Sequence, residues 1–453
     1  MTRTRGDARE RLVRTLRRIV RALETFLRGL WVSLVFSTPV VSGSIVYGLH
    51  YLPGIPRSAF ARLDDWWWRL FLKVVDRSGP TFIKAAQWAS TRQDFFPSDV
   101  CRRLAQLHTF TRRMPVTSRE NALRKAFGDS WQQIMELEGE PLGSGCVASV
   151  YKGRMIAGEN AGRQVAVKIL HPDIKKTIQL DLEIMRAVAT VAEWLPFLQL
   201  EWLSLSEMVE EFSSLMEMQL DLRIEGMNLE RFAKDFEGDS SVFFPRPIAP
   251  STQNVLVEEF VAAEPISNFF PSKKLAAKCV EIFLKMVFTN NFVHGDLHPG
   301  NLRYLQRADS GEPVLVFLDA GIVCELEEDR VNFCDLFHAV VMGDGKLAGS
   351  LMIDRARHQR CTDPDGFCEG VDNLVRQARS RGLRLGQIQA GELLARMFHL
   401  CAKHEVKLES KFARLLIAVA VLEGVGRSLD ADCNILEAAL PVVAQATRRA
   451  VTH

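Results

Sequence analysis

Nine cysteines are scattered along the 453 residues without a single C-x-x-C pair. That spacing excludes the common paired-thiol zinc and redox motifs. With an odd count and no ligand-like grouping, reduced thiols in a reducing compartment are expected. Surplus charge is also lacking: 57 basic against 55 acidic residues leave a net +2, so no general affinity for nucleic acid is expected. The chain has no internal repeat and no low-complexity segment. At 47% hydrophobic and 25% charged residues, it reads as globular, with material for two to four domains.

Charge is absent in one long stretch and crowded just before it. Gly29 to Leu49 holds no charged residue, while the first 28 residues hold nine arginines against Asp7, Glu10 and Glu24. Leu12, Leu16, Ile19, Leu23 and Phe26 recur at helical spacing, so residues 8–28 are expected to form a basic amphipathic helix, suited to targeting or to a membrane surface. The twenty-one uncharged residues could cross a bilayer or fold as a hydrophobic hairpin on the soluble body; Pro39 and Gly43 weaken them as a span. Residues 1–52 are therefore expected to be a membrane-associating segment. Residues 53–135 are expected to be a helical extension. It contains three adjacent tryptophans, Trp66 to Trp68, which cannot share one helix face, so at least one should meet an interface, a membrane or a partner. Gly79-Pro80 should open a helix carrying Lys84 and Gln87 on one face.

Strands and turns are expected from residue 136. Leu142-Gly143-Ser144-Gly145-Cys146-Val147-Ala148-Ser149-Val150 fits G-x-G-x-x-[G/A]-x-V, and Gln164-Val165-Ala166-Val167-Lys168 follows as a strand. A dinucleotide fold wants a helix directly after the glycines. Here a strand ending in a lysine follows instead, which suits a turn whose amides approach phosphates and a lysine that neutralises them. Within the helical stretch 178–235, Glu225 is the candidate partner for Lys168. Asn254 to Val261 is a buried strand running into the acids Glu258 and Glu259. It should form the connection between lobes, where backbone groups around Glu259 and Val261 would meet an adenine edge.

The central stretch is His294-Gly295-Asp296-Leu297-His298-Pro299-Gly300-Asn301, of the form H-x-D-L-x-x-x-N. Asp296 would orient or deprotonate a nucleophile, and Asn301 would offer an oxygen to Mg²⁺. A second buried strand ends in Asp319-Ala320-Gly321, where the acid is placed to hold a cation. His294 and His298 lie four apart, but Pro299-Gly300 ends any helix that would make them a metal pair. Positions for loop support or phosphate contact suit them better. These parts occur in the order of a phosphoryl-transfer site using ATP and Mg²⁺. They predict an α+β, bilobal protein-kinase-like fold, with the first lobe at 136–260 and the second, with a helical tail, at 261–453. Apolar runs such as 412–422 should be packed helices of that tail.

Taken together, the residues resemble the UbiB family of atypical kinases, the aarF-domain-containing kinases, over roughly Gly79 to Gly321. Lys84-Ala85-Ala86-Gln87 stands at the family's K-x-G-Q motif and Gln219-Leu220-Asp221 at its E-x-D. Ala86 and Gln219 depart from the pattern. The glycine-rich turn is similar to that of the family's kinase 2 subgroup. The resemblance implies that Lys84 and Gln87 lie over the nucleotide site and close it to peptides. The short run from Gly321 to Glu325-Leu326-Glu327-Glu328 lacks a long activation segment and points the same way. The resemblance further implies support of ubiquinone synthesis by ATP hydrolysis coupled to lipid handling. The partners would be a membrane lipid or isoprenoid quinone precursor and a lipid-biosynthesis complex. The setting would be a mitochondrial (inner) membrane, or a bacterial or plastid one. A small-molecule phosphotransferase and a non-catalytic nucleotide- or lipid-binding scaffold remain as other readings of the same motifs.

Overall fold

The computed structural model describes residues 3–49, 57–92, 96–109, 114–194, 205–268, 272–297, 300–307, 311–325, 330–356, 361–380 and 390–406. His298 and the run 412–422 lie outside the described residues.

The first lobe is an antiparallel sheet in the order β1-β2-β3-β5. Its strands are β1 (Met135–Ser144), β2 (Ala148–Met155), β3 (Gln164–Leu170) and β5 (Val255–Glu259), with β4 placed elsewhere as described below. Alternation of side chains gives this sheet two faces. Val165, Val167 and Ile169 of β3 and Val255 and Val257 of β5 are buried with Met135 and Trp131 on the outer side. That core is covered by a short helix, α5 (Val116–Phe127). The other face carries Ala166 and Lys168 opposite Glu258 and Leu256. It looks onto three further helices, α6 (Ile174–Glu193), α7 (Leu205–Gln219) and α8 (Leu222–Asp235). Leu256 Cδ1 lies 3.3 Å from where a Cβ on Gly226 of α8 would be, so glycine is what lets this helix sit directly under β5.

The second lobe is built on α9 (Lys273–Leu284), which continues as a wider π turn through Lys285–Asn290. A sheet in the order β4-β9-β8-β6 packs beside it, made of β4 (Val242–Phe243), β6 (Glu264–Pro265), β8 (Leu302–Gln306) and β9 (Pro313–Phe317). β4 precedes the crossing between lobes in sequence, yet it pairs in parallel with β9 of the second lobe. A two-strand ribbon joins β7 (Val293–His294) to β10 (Val323–Cys324). The helices α10 (Arg330–Met342), α11 (Gly345–Asp354), α12 (Pro364–Ser380) and α13 (Ala390–Lys403) follow and share a separate apolar cluster around Phe367, Val371 and Phe398. The α+β, two-lobed kinase-like architecture expected from the motifs is the one formed.

The N-terminal region differs from the hairpin alternative. Arg3–Leu49 is one helix, α1, that continues through Pro39. Proline deprives a helix of one N–H. Trp67 of α2 (Arg57–Ser78) packs beside the proline, its Nε1 donating to Pro39 O at 2.8 Å; the carbonyl that the proline leaves without its helix donor is that of Val35, four residues earlier. A Cβ on Gly43 would sit 2.7 Å from that nitrogen, so only glycine admits the indole. The three tryptophans separate as their spacing requires. Trp67 packs on α1, Trp68 stands at the main core, and Trp66 is exposed.

Further along, α1 is pinned to the body by a buried network. Arg28 Nε contacts Asp181 Oδ1 of α6 at 2.8 Å, and Arg28 Nη2 donates to Ser78 O at 2.6 Å. The fully buried Asp181 also accepts from Thr81 at 2.6 Å. Thr81 lies in α3 (Pro80–Thr91), which Gly79 and Pro80 open as the sequence predicts. The opposite strip of α1 is bare: Leu16, Ile19, Leu23, Phe26, Leu30, Leu34, Val41 and Ile45 are each more than half exposed. Residues 18–49 are long and apolar enough to cross a membrane, with a mean hydropathy of 1.6 over an 18-residue window.

Candidate nucleotide site

The site lies where the two lobes meet. Lys168, on the inner face of β3, reaches Glu225 of α8 with Nζ at 2.7 and 2.8 Å from its two carboxylate oxygens. The same ammonium stands 3.0 Å from Asp319 Oδ2. Two acids thus share one cation. Burial works against the charged lysine, but Asp319 and Glu225 outweigh it and hold Lys168 above its ordinary range. Burial pushes Glu225 up to about 7, with the Lys168 charge opposing and the Asp319 charge adding to the rise. Burial would also raise Asp319, yet Lys168 holds that carboxyl well below the usual range. The lysine is therefore fixed, charged and aimed into the cleft.

Asp319 occupies an unusual backbone position, with φ +57, in the left-handed region that ordinary residues seldom visit. Gly321 makes room for it: a Cβ there would lie 3.1 Å from Asp319 Oδ1. The carbonyl between them, Ala320 O, accepts from Asn228 Nδ2 of α8 at 2.8 Å. Leu318 N donates to Asn301 O at 2.9 Å, and Asn301 Nδ2 donates to Asp296 O at 3.0 Å. The buried Asn301 thereby ties the Asp296 loop to the Asp319 loop. His294 has the supporting place foreseen for it. Its Nδ1 accepts from Asp296 N at 3.2 Å, so Nε2 carries the proton and donates to Leu318 O at 3.0 Å. With both nitrogens engaged, His294 has no lone pair for a metal.

A cavity of about 150 Å³ opens beside Lys168. Lys84, Gly143, Gly145 and Val150 line it together with Lys168, Glu225 and Asp319. Neither turn glycine is needed for its own geometry. Neither has positive φ. A Cβ would meet nothing within 4 Å at Gly143 and only Ala148 O, at 3.7 Å, at Gly145. What they contribute is bare backbone at the cavity wall, as a phosphate cradle needs. The oxygen donors also fit Mg²⁺, a hard ion that takes one or two protein ligands and completes its shell with phosphate and water. Asp319 and the amide oxygen of Asn301 could supply those ligands. Among the described residues no trio of His, Cys, Asp and Glu could hold a metal unaided.

Several residues expected at the cofactor are placed elsewhere. Gln87 shares a helix with Lys84, but its amide donates to Leu107 O at 2.9 Å and braces the following turn. Ser144 faces its hairpin partner, Oγ to Oγ of Ser149 at 2.8 Å. Glu259 alternates with Glu258 and so faces away from the cleft. Its carboxylate pairs with Arg163 and accepts from Arg246 N at 3.0 Å. The Val261 carbonyl accepts from Ala263 N at 2.9 Å. These four side chains or backbone groups are taken up by the fold.

Gln219, the departure from the E-x-D pattern, lines the cavity. Other residues at the site were given no role by sequence. Cys146 also lines the cavity; burial pushes its thiol up, against the charge of Lys84. Asn228 was visible only as part of a polar run. Glu258 is the least expected. It is buried, and Oε2 has no hydrogen-bond partner among the described residues. Burial pushes it up to about 8, with the charges of Glu225 and Asp319 adding to the rise and that of Lys168 opposing it.

Two lobes closing on a strand lysine that a helix glutamate holds in place are the hallmark of protein-kinase-like folds. Within that class the chain belongs to the ABC1/UbiB family of atypical kinases. The ABC1 atypical kinase-like domain matches residues 106–351 and the UbiB helical domain residues 377–434. A mitochondrial ABC1 family protein of Saccharomyces cerevisiae is 32% identical, over 96% of this chain and 78% of its own. A probable protein kinase UbiB of Vibrio atlanticus is 27% identical, over 81% and 68%. Among solved structures, a Mycobacterium tuberculosis protein determined in complex with erythromycin has the same fold. The TM-score is 0.56 at 19% identity, over 85% of this chain and 97% of that one.

Proposed function

We propose that this chain is a membrane-associated atypical kinase or ATPase that uses Mg-ATP and supports ubiquinone synthesis or related lipid metabolism. The observation that carries the reading is Lys168, held within 3.0 Å of both Glu225 and Asp319 on the wall of a glycine-lined cavity. Lys168 neutralises the α- and β-phosphates. Asp319 and Asn301 would hold Mg²⁺, which would supply charge neutralisation at the transferring phosphoryl group. Asp296 orients the nucleophile and takes its proton. Lys84 adds a second cation from α3.

Water or a lipid-linked hydroxyl is the acceptor in this reading. Two features support it: α3 reaches the cleft through Lys84, and only eight residues separate Gly321 from the start of α10 at Arg330. The bare apolar strip of α1 faces lipid while its other side stays on α2 and α6. The relatives named as mitochondrial support a mitochondrial setting; its inner membrane and the quinone role rest on the family resemblance alone. The test is Mg-dependent ATP hydrolysis by the full chain, with and without anionic liposomes. Hydrolysis stimulated by liposomes and lost in Asp296→Asn and Asp319→Ala is expected. No hydrolysis by wild type, or equal hydrolysis by Asp296→Asn, would overturn the reading.

A further inference from the structure

Glu258 lies on the inner face of the first-lobe sheet, next to the point where the chain crosses between lobes. The Lys168–Leu256 and Ala166–Glu258 pairs are successive rungs on that face. Glu258 is therefore one pleat repeat, about 7 Å, nearer the crossing than the rung that carries Lys168. A nucleotide whose phosphates rest against Lys168, Gly145 and Asp319 would reach Glu258 by extending its base along this face. Two backbone groups that a base could otherwise use are already taken: Glu259 N donates to Arg246 O at 3.0 Å, and Val261 O accepts from Ala263 N. Glu258 offers what they do not. It is nine-tenths buried, and among the described residues its Oε2 has no hydrogen-bond partner. Charged groups face it from β3 (Lys168), α8 (Glu225) and the D-A-G loop (Asp319), with Glu259 adjacent in its own strand. None of them hydrogen-bonds it. Buried polar atoms are rarely left so, and this one lies one rung past Lys168, just beyond the lining of the cavity itself.

We propose that the Glu258 carboxyl reads the 6-position of the bound purine, accepting a hydrogen bond from a 6-amino group and so selecting adenine over 6-oxopurine nucleotides. This rests on the reading of the cleft as a nucleoside triphosphate site. Charged or neutral, the carboxyl keeps a lone pair for an amino hydrogen. As a carboxylate it sets oxygen against oxygen at a 6-oxo group, and a site built around one hydrogen-bonding group rejects the analogue that reverses it; the neutral acid would donate its O–H to that oxygen, so the selection belongs to the ionised carboxyl.

The experiment is calorimetric titration of the full chain at about pH 8.5, where the carboxyl is mostly ionised, with Mg-ATP and with Mg-ITP, which differ at the 6-position and in the proton that ITP carries on N1. Wild type, Glu258→Gln and Glu258→Met are compared, and melting temperatures report folding. Wild type should bind ATP at least about tenfold more tightly than ITP. Glu258→Gln can turn its NH₂ toward a 6-oxo group, so the preference should shrink through a gain in ITP binding. Glu258→Met should shrink it through a loss in ATP binding. Equal binding of both nucleotides by wild type refutes the proposal. So does a preference unchanged in both variants while melting shifts, which marks Glu258 as structural. Wild type that binds neither nucleotide instead overturns the nucleotide reading of the cleft, and this proposal with it.

Discussion

Replacing Glu258 with glutamine should make the protein more stable at pH 7.5 while changing little at pH 5. The carboxyl titrates near 4.5 in the unfolded chain and is pushed up to about 8 in the folded one. Between those values the folded state holds a proton that the unfolded state has released. The unfolded state binds fewer protons there, so stability falls as pH rises through that window. At 1.36 kcal/mol per pH unit, the change from pH 5 to pH 7.5 is about 3 kcal/mol. Glutamine is nearly isosteric with the protonated acid and does not ionise, so it escapes the loss. Differential scanning across this pH range is the assay. The melting difference, variant minus wild type, should start near zero and grow to the order of 5 °C. Glu225, pushed up to about 7, titrates in both proteins and largely cancels in the difference. A melting difference that stays flat with pH, or a variant less stable at pH 7.5, would refute the claim that this carboxyl is buried without compensation.

Other consequences can be measured directly. Lys168→Met removes the cation between two carboxyls 2.7 and 3.0 Å from it, and ATP hydrolysis should fall by about a hundredfold or more; retained turnover would show that the lysine is not at the phosphates. Asn228→Ala frees Ala320 O, a bond worth about 1 kcal/mol. It should lower hydrolysis about fivefold and raise the Mg²⁺ concentration needed for half-maximal rate, with an unchanged Mg²⁺ dependence counting against the tie. Arg28→Ala leaves the fully buried Asp181 without its cation, at a cost of about 3–5 kcal/mol. It should be seen as a lower melting temperature and faster proteolysis within α1. Leu34→Lys with Val41→Lys changes residues 69% and 60% exposed. The double variant should melt as wild type does but no longer float with anionic liposomes.

How much was legible in the sequence depends on how local each signal is. Lys168, Asp319 and the Asp296 loop lie in short motifs whose local geometry is set by adjacent residues, so their strand and turn positions could be read from spacing. Which way a side chain faces at a strand end is different. Glu258 and Glu259 are neighbours in sequence, and only the pairing of β3 with β5 sends the first into the cleft and the second to Arg163. Gln87 and Ser144 went to nearby partners, Leu107 O and Ser149, that compete with a nucleotide for the same polar atoms. Asn228 bonds a carbonyl 92 residues away, which no local pattern reveals. α1 continues through Pro39 with Trp67 of the next helix packed beside it, a tertiary contact that no local pattern shows.

The family's E-x-D position shows why a motif's residues need to be judged singly. Asp221 does not face the cavity. It caps α8, accepting from Arg223 N at 3.1 Å, while Leu222 N donates to Gln253 O at 3.0 Å. Such a cap fixes the start of a helix, and this helix presents Glu225, Asn228 and Arg231 at intervals of three along one side. Glu225 holds Lys168 of the first lobe, Asn228 holds the loop of Asp319, and Arg231 pairs with Glu325 and lies over Phe292 of the second lobe. Asp221 therefore acts on the site through the placement of α8. Gln219, two residues earlier, lines the cavity itself. An acid there would add negative charge beside Glu225 and Asp319, where phosphates must approach; a glutamine does not. The departure from the family pattern thus alters the charge of the cavity and leaves the frame that positions Glu225 intact.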